Sequence, residues 1–465
     1  MVRLPGGWQQ SASFRGTRHR LPLSRFNPKR PAKRWIITSN KYKKSAAGLT
    51  EKPIYKQNLV VLWFGCFMTG VGLSLVTPFL PLYIETLGDF SKSTLTFWSG
   101  LTIAVPFLVS TIVSPLWGRL ADRSGRKPML LRAAIGMAVA MLLTGFVTNI
   151  YQLLILRIIF GLFSGFISNA TALIATQVPK EESGRVLGTL NTAGIGGVLL
   201  GPIFGGAVVS LIGYAHVFII TGAILGLVFL LSIWRVRENF TPIPKAEMQS
   251  GRQVIQSLKN PRLILGAIMI TTIFALTMNS INPILSLFVR ELVPAGGNIE
   301  LLAGLTAAAP GLTTILLGSR LGALGDRIGS HKVLMGGLVL SAVLFLPMFF
   351  VTQVWQLIGL RLFLGIANAV MLPSVQTMLT LNSPIHSLSR VFAYNQSAQS
   401  LGSVLGPLVG SAIGGILDYR YVFLATFVFA AINFVVAAMT SRRLQPVDKA
   451  SNADKTDDPE VAQKP

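Results

Sequence analysis

Long apolar segments alternate with short polar connections from residue 58 to residue 440. Segments such as 58–84 and 129–148 are close to the roughly 20 residues that a helix needs to cross a hydrocarbon core of about 30 Å. A soluble protein could bury one such helix, but not a dozen of them. The pattern therefore predicts a protein that crosses a membrane many times.

Twelve membrane spans are predicted from these segments. In the first half of the chain they cover residues 58–84, 95–117, 129–148, 151–174, 184–211 and 215–235. In the second half they cover residues 262–289, 301–319, 332–352, 355–377, 390–416 and 419–440. The predicted fold class is an all-α membrane protein with twelve transmembrane helices.

The two halves repeat one another at an offset of 204 or 205 residues. The matches include Gly100-Leu101-Thr102 with Gly304-Leu305-Thr306, and Leu200-Gly201-Pro202 with Leu405-Gly406-Pro407. So many Gly, Pro and polar matches in one register indicate a duplicated unit. We therefore expect two pseudo-symmetric six-helix bundles, at residues 58–235 and 262–440, joined by a connection at 236–261. Transporters built from such halves bind substrate between them and rock around it.

The charge of the chain follows the membrane pattern. Only 12% of the residues are charged, and the net charge is +24. Residues 1–57 hold 14 basic side chains and one acid, which gives 14 − 1 = +13. Much of the remainder lies in even-numbered connections, namely Arg119, Arg123, Arg126, Lys127, Lys180, Arg185, Arg320, Arg327 and Lys332. This bias places both termini and residues 236–261 in the cytoplasm, with anionic lipid headgroups and no nucleic acid as partners of the charges.

The two ends of the chain are polar. Residues 1–57 lack the apolar core of a cleaved signal peptide. They are expected to be a disordered cytoplasmic tail or sequence translated upstream of the true start, and an organelle transit peptide is the third alternative. No Met occurs between Met1 and Met68, so a later start would need another codon. Residues 441–465 are expected to be a disordered polar tail.

The connection at residues 118–127 reads Gly-Arg-Leu-Ala-Asp-Arg-Ser-Gly-Arg-Lys. Gly118 and Gly125 would permit a tight turn between two helices. Asp122 is the only acid in this run. Its carboxylate could pair with a neighbouring Arg or accept from the free N–H groups of a helix N-terminus.

This connection resembles the signature loop of the major facilitator superfamily, and the resemblance covers roughly residues 58–440. In that family the loop latches the cytoplasmic side shut. The resemblance assigns the latch to Gly118, Asp122, Arg123, Gly125, Arg126 and Lys127, and to Asp326 and Arg327 in the second copy. The second copy departs from the pattern at Ser330 and His331, so its latch is expected to be weaker.

The fifth span carries closely spaced glycines. Gly197, Gly201 and Gly205 are four residues apart and would form one stripe where another backbone approaches closely. Pro202 removes one hydrogen bond of the helix. The full set resembles the motif of the drug:proton antiporter branch of the superfamily: Gly188, Gly197, Gly201, Pro202, Gly205 and Gly206. The alternative is ordinary packing of small residues.

A proton-coupling pair is expected from Arg157 and Glu85. Arg157 would lie about six residues inside the fourth span, or roughly 9 Å deep, where a cation needs a partner in the protein interior. Arg157 and Gly161 also resemble the helix-four motif that the family links to proton coupling. The nearest acids are at the ends of spans, and Glu85 is on the same side as Arg157. Snorkelling of Arg157 and a solvated Glu85 are the alternatives.

Polar side chains within the spans are candidates for a weakly polar, uncharged substrate cavity. The predicted lining comprises Ser74, Asn169, Asn191, Asn279, Asn282, Asn368, Gln376, Gln396 and Gln399, with Asn395 beside them. Hydrogen bonding between helices is the alternative for each of them.

The function that the resemblance implies is proton-driven export of small toxic compounds, which would confer antibiotic resistance. A monomer in the bacterial inner membrane, energised by the proton gradient without a cofactor, is expected. The alternative on the same fold is an exporter or symporter of one metabolite. An enzyme is not expected, because the sequence shows no nucleophile or metal constellation, and the single cysteine, Cys66, lies within an apolar span.

Overall fold

Each predicted apolar segment forms a helix, because a backbone in lipid must satisfy its hydrogen bonds within its own segment. The computed structural model describes residues 53–240, 260–383 and 385–441. The first six membrane helices are α1 Ile54–Glu85, α2 Lys92–Ser124, α3 Arg126–Thr144, α4 Ile150–Gln177, α5 Lys180–Ile212 and α6 Tyr214–Arg235. The second six are α7 Pro261–Ser280 with its continuation Leu285–Leu292, α8 Ile299–Ile328, α9 Ser330–Met348, α10 Val354–Leu381, α11 Ile385–Ile416 and α12 Tyr419–Ser441.

Eleven of these helices in the described residues are long and apolar enough to cross a membrane by length and composition. The twelfth, α11, is 32 residues long but carries Asn395, Gln396 and Gln399. It packs against α7 in its own half and against α2 in the other. A helix enclosed by other helices tolerates polar residues that a lipid-facing helix would not.

Several helices extend beyond the predicted spans. The predictions ended the second span at 117 and the eighth at 319, whereas α2 reaches Ser124 and α8 reaches Ile328. Gly118 is therefore inside a helix, and its predicted role in a turn is wrong. Hydropathy marks where the chain leaves the lipid, but a helix keeps its own hydrogen bonds in water. The turns instead use Gly125 and Gly329, whose φ angles of 94° and 98° favour glycine.

The ends of the predicted regions also shift. The first helix begins at Ile54, so residues 54–57 belong to α1 and not to the predicted tail. Residues 1–52 and 442–465, which cover most of both predicted tails, lie outside the described residues, as do residues 241–259 of the predicted connection.

Packing follows the sequence repeat. Helix α1 packs on α5 as α7 packs on α11, and α3 packs on α6 as α9 packs on α12. The two halves meet through the related pairs α2 with α11 and α5 with α8. We call the end that holds Gly125 and Gly329 the basic end, and the end that holds residues 85–92 and 292–299 the opposite end.

Candidate functional site

The predicted latch loop is a tight reversal between α2 and α3 at the basic end. Gly125 ends α2 by donating its N–H to the Ala121 carbonyl at 2.9 Å, and the next residue begins α3. The Arg126 guanidinium donates to Asp122 Oδ1 at 2.8 Å, one helical turn away. Asp122 thus pairs with a neighbouring arginine, one of the two roles expected from the sequence.

The free N–H groups at the N-terminus of α3 are accepted by Glu238, a residue that the sequence analysis did not single out. Its carboxylate accepts the backbone N–H of Arg126 at 2.8 Å and of Lys127 at 2.7 Å. These are free donors of the first turn of α3, where the helix dipole favours an anion. A Cβ on Gly125 would lie 2.8 Å from Glu238 Oε2. Glycine at this position therefore lets the carboxylate approach.

Residues 236–240, which follow α6, also tie other helices together at the basic end. The buried Asn58 of α1 donates to the Arg237 carbonyl at 2.6 Å and accepts the Arg237 N–H at 2.9 Å. Its amide also donates to Gln177 of α4 at 2.8 Å. The segment that leaves α6 therefore holds α1, α3 and α4 in one arrangement.

The remaining predicted latch residues make fewer described contacts. Lys127 Nζ donates to the Ile233 carbonyl at 3.3 Å, and Arg123 is exposed. In the second copy Arg327 is exposed, and the side chain of Asp326 lies outside the described residues. The His331 ring lies beside Gly329, where the first copy has the Glu238 carboxylate beside Gly125.

The glycine stripe of α5 packs on the backbone of α1. A Cβ on Gly201 would lie 2.8 Å from the Val71 carbonyl oxygen, and one on Gly197 would lie 2.8 Å from the Val71 nitrogen. A Cβ on Gly205 would lie 2.8 Å from the Phe79 ring. The stripe thus brings the two helix axes closer than side chains would allow. Gly188, by contrast, has nothing within 4 Å of a Cβ position.

A second face of the same motif meets the other half of the molecule. A Cβ on Gly206 would lie 2.7 Å from the Glu300 carbonyl oxygen of α8, and Gly304 of α8 lies against the Pro202 carbonyl. The repeat-related contact joins Gly100 of α2 to the Pro407 carbonyl of α11, at 2.7 Å from a Cβ position. The motif of α5 therefore sits between α1 and α8 and touches both halves.

Polar contacts join the two halves at the opposite end. Glu85 at the end of α1 forms an ion pair with Arg290 at the end of α7. Lys92 lies 3.2 Å from Asp418, and the Tyr214 hydroxyl donates to Glu300 at 2.8 Å. Among the described residues, both ion pairs that cross between the halves are at this end.

The expected pair of Glu85 with Arg157 is not formed. Arg157 is only 6% exposed, and its guanidinium lies 3.8 Å from Met141 Sδ and over the Phe218 ring. The Tyr83 ring packs against that ring at a tilt of 44°, with centroids 4.7 Å apart. Glu85 forms its ion pair with Arg290 instead. Arg157 therefore does not snorkel, and an aromatic layer takes the place of the expected carboxylate.

Two predicted cavity residues bind neighbouring helices. Ser74 of α1 donates to the Gly70 carbonyl at 2.9 Å and to the Gly197 carbonyl of α5 at 3.3 Å. Asn279 of α7 donates to Ser403 of α11 at 3.4 Å and accepts from Asn282 at 3.1 Å. These contacts join repeat-related helix pairs, which is the alternative role given above.

The other predicted cavity residues differ in their surroundings. Asn169 donates to the Gly165 carbonyl at 2.8 Å within α4. The side-chain carbonyls of Asn368 and the buried Asn395 have no hydrogen-bond partner in the described structure. The exposed members are Asn191, Gln376 and Gln396, and Gln399 is half-buried. A pocket of about 560 Å³ at the basic end is lined by Tyr55, Gln177 and Glu182 among others, and by none of these residues.

Comparison with known proteins decides the family. The family model described as Major Facilitator Superfamily matches residues 62–296 and 267–463. The chain belongs to the major facilitator superfamily. The multidrug resistance protein MdtG of Salmonella heidelberg (strain SL476) is 50% identical over 389 residues, which is 84% of this chain and 96% of that protein. MdtG of Enterobacter lignolyticus (strain SCF1) is 48% identical over 395 residues, which is 85% of this chain and 94% of that protein.

Two solved structures share the fold of this chain. A bacterial homolog of the human lysosomal transporter Spinster, inward-facing and occupied, matches with a TM-score of 0.68 at 18% identity, over 85% of this chain and 98% of that one. The human organic anion transporter MFSD10 (TETRAN) matches with a TM-score of 0.62 at 17% identity, over 83% of this chain and 100% of that one. The predicted twelve-helix major facilitator fold is confirmed.

Proposed function

We propose that this chain exports small, amphipathic toxic compounds from a bacterial cytoplasm in exchange for protons. The observation that carries the proposal is the glycine motif of α5, which contacts α1 through Gly201 and α8 through Gly206. A helix that touches both halves changes its contacts whenever the halves rock. The relatives that are 50% identical over 96% of their length are multidrug resistance proteins.

The basic end is assigned to the cytoplasm. The helix ends and connections at this end hold most of the basic residues that lie outside the predicted spans and before the C-terminal tail, and such basic regions stay on the cytoplasmic side. Both termini then face the cytoplasm, and the opposite end faces outward. In this assignment the ion pairs between the halves hold the outer end closed, as expected of an inward-facing state that takes up compounds from inside.

Proton coupling is assigned to Glu85 and Arg290, with Arg157 as a supporting cation. A proton arriving from outside would neutralise Glu85 and release Arg290, which removes an ion pair between the halves. The outer end could then open. Arg157 would hold the end of α1 through the Phe218 and Tyr83 rings.

The substrate cavity is placed between the halves. Its weakly polar lining is assigned first to Asn368 and Asn395, whose side-chain carbonyl groups have no hydrogen-bond partner in the described structure. Amphipathic compounds fit such a lining, because apolar walls bind them and a few amides orient them.

The test is transport by the purified protein in liposomes with an imposed pH gradient, using a fluorescent amphipathic dye. We expect dye movement against the direction of proton flow, and none after the gradient is collapsed. Dye movement in the same direction as the protons, or dye movement at the same rate with and without the pH gradient, would contradict antiport. The alternative, a carrier for one metabolite, predicts that chemically unrelated dyes fail to compete with one another, whereas a multidrug exporter predicts mutual competition.

A further inference from the structure

Helix α4 is broken near its middle, in a way that the repeat does not share. Its first segment ends at Phe163, and its second begins at Phe166. Gly165 between them has a φ of 113°, which favours glycine. In an unbroken helix the Leu162 carbonyl would accept from the Phe166 N–H. The break leaves the carbonyls of Leu162 and Ser164 in need of other donors.

Two side chains from neighbouring helices supply those donors. The Trp117 indole N–H of α2 donates to the Leu162 carbonyl at 2.9 Å. The Arg132 guanidinium of α3 donates to the Leu162 carbonyl at 3.4 Å and to the Ser164 carbonyl at 3.1 Å. The guanidinium carbon of Arg132 lies 3.7 Å from the centre of the Trp117 ring. Stacking on an aromatic face fixes the planar guanidinium in this orientation.

The other half lacks the donors and the break together. At the offset of 204 residues, Trp117 corresponds to Leu321 and Arg132 to Gly336. Gly165 corresponds to Ala369, and α10 runs unbroken from Val354 to Leu381. The break and its two donors thus occur as one unit. An arginine inside a membrane helix is costly, so its presence beside the break calls for a role.

We propose that Arg132, held on the face of Trp117, is a positioning residue that keeps α4 broken at Ser164 and Gly165. The break separates the segment that carries Arg157 from the segment that ends at Gln177, which is bonded to Asn58 at the basic end. Withdrawal of Arg132 lets α4 close into one helix, which reorients these two segments relative to each other. The consequence for transport rests on the proposed function, but the control of the break does not.

The experiment measures the break directly. In a Cys66→Ala background, spin labels at Ile155→Cys and Ala175→Cys report the distance between the two segments of α4, at exposed positions. Twenty residues of continuous helix would separate these positions by about 30 Å. We expect Arg132→Gln to shift the distance distribution towards that value, and Arg132→Lys to shift it less. Trp117→Phe should also shift the distribution, because it keeps an aromatic ring but loses the indole N–H donor.

Matched controls separate this effect from loss of any Arg or Trp. Arg235→Gln and Trp234→Phe at the end of α6 should leave the distribution unchanged. Gly165→Ala by itself should shift the distance distribution, and adding Arg132→Gln to Gly165→Ala should then have little further effect.

A parent-like distance distribution in Arg132→Gln, or an equal shift in Arg235→Gln, would overturn the proposal. Should Arg132→Gln fail to insert, Arg132→Lys and Trp117→Phe decide it by the same criterion. The labels report without substrate or gradient, so failure of the transport proposal leaves this result intact.

Discussion

At the scale of single residues, Asp122 is the acid that pairs with Arg126 in the predicted latch loop. Its bond to Arg126 is partly exposed, and such pairs contribute about 0–1 kcal/mol to stability. Asp122→Asn should therefore insert and fold normally while its transport falls well below that of the parent. Transport per inserted molecule in membrane vesicles is the measurement. A variant that transports at the parent rate would remove Asp122 from the latch.

Glu238 gives a second prediction at the same loop. The charge at the first turn of α3 is worth about 0.3–1 kcal/mol, and Gln keeps only one acceptor for the N–H groups of Arg126 and Lys127. Glu238→Gln should lower transport as Asp122→Asn does, with little loss of thermal stability. Glu182→Gln is the matched control, since Glu182 is at the same end but bonds to Tyr55 and not to the loop. Equal losses in both variants would contradict a specific role of Glu238.

The sequence predicted contacts between near neighbours and missed distant ones. Asp122 and Arg126 are one turn apart, so their pairing follows from helix geometry. Glu238 is 112 residues from Arg126, and only its position in the polar run after the sixth span could have drawn attention to it. Glu85 pairs with Arg290, which occupies the equivalent position in the second half at an offset of 205 residues. Symmetry between the halves was the available signal for that pair.

At the scale of helices, the α1–α5 contact depends on the absence of side chains. Gly201→Leu would place atoms where the Val71 carbonyl lies, since a Cβ alone would be 2.8 Å from it. Overpacking of this kind typically costs about 1–3 kcal/mol or more. We expect loss of transport and a lower melting temperature. Gly188→Leu is the matched control, because nothing lies within 4 Å of its Cβ position, and an equal loss there would contradict the close-packing account.

Helix breaks were predictable in part. The breaks after Val76 and Ser280 lie at Pro78 and Pro283, which are repeat mates. Proline marks such sites because it lacks a backbone donor. The break in α4 contains no proline, and glycine is common in membrane helices. Its position depends on Trp117 and Arg132, which come from two other helices, so local sequence could not show it.

At the scale of the whole molecule, proton coupling is tested at Glu85. Glu85→Gln cannot change its charge on protonation, so dye-induced proton release in liposomes should fall sharply, and gradient-driven dye transport with it. Asp89→Asn is the matched control, an exposed acid four residues away. Parent-like coupling in Glu85→Gln would exclude Glu85 and direct attention to Asp122 or to protons carried by the substrate.

The twelve-helix architecture and its duplication could be predicted because hydropathy and repeats are properties of the chain alone. The arrangement of the two halves could not. In the proposed rocking mechanism, whether Gly206 contacts Glu300 and Lys92 contacts Asp418 depends on which end of the molecule is closed. That choice is a property of the conformational state.

The central claim is that transport requires the halves to separate at the opposite end. In a Cys66→Ala background, Lys92→Cys and Asp418→Cys would join the halves through a short, cleavable thiol cross-linker where the native side chains lie 3.2 Å apart. Trp98→Cys with Tyr151→Cys, whose native rings are 5.7 Å apart within one half, is the control. The account predicts that the first cross-link abolishes transport and that its cleavage restores it, while the control cross-link has little effect. Transport at the parent rate with the first pair fully cross-linked would contradict it.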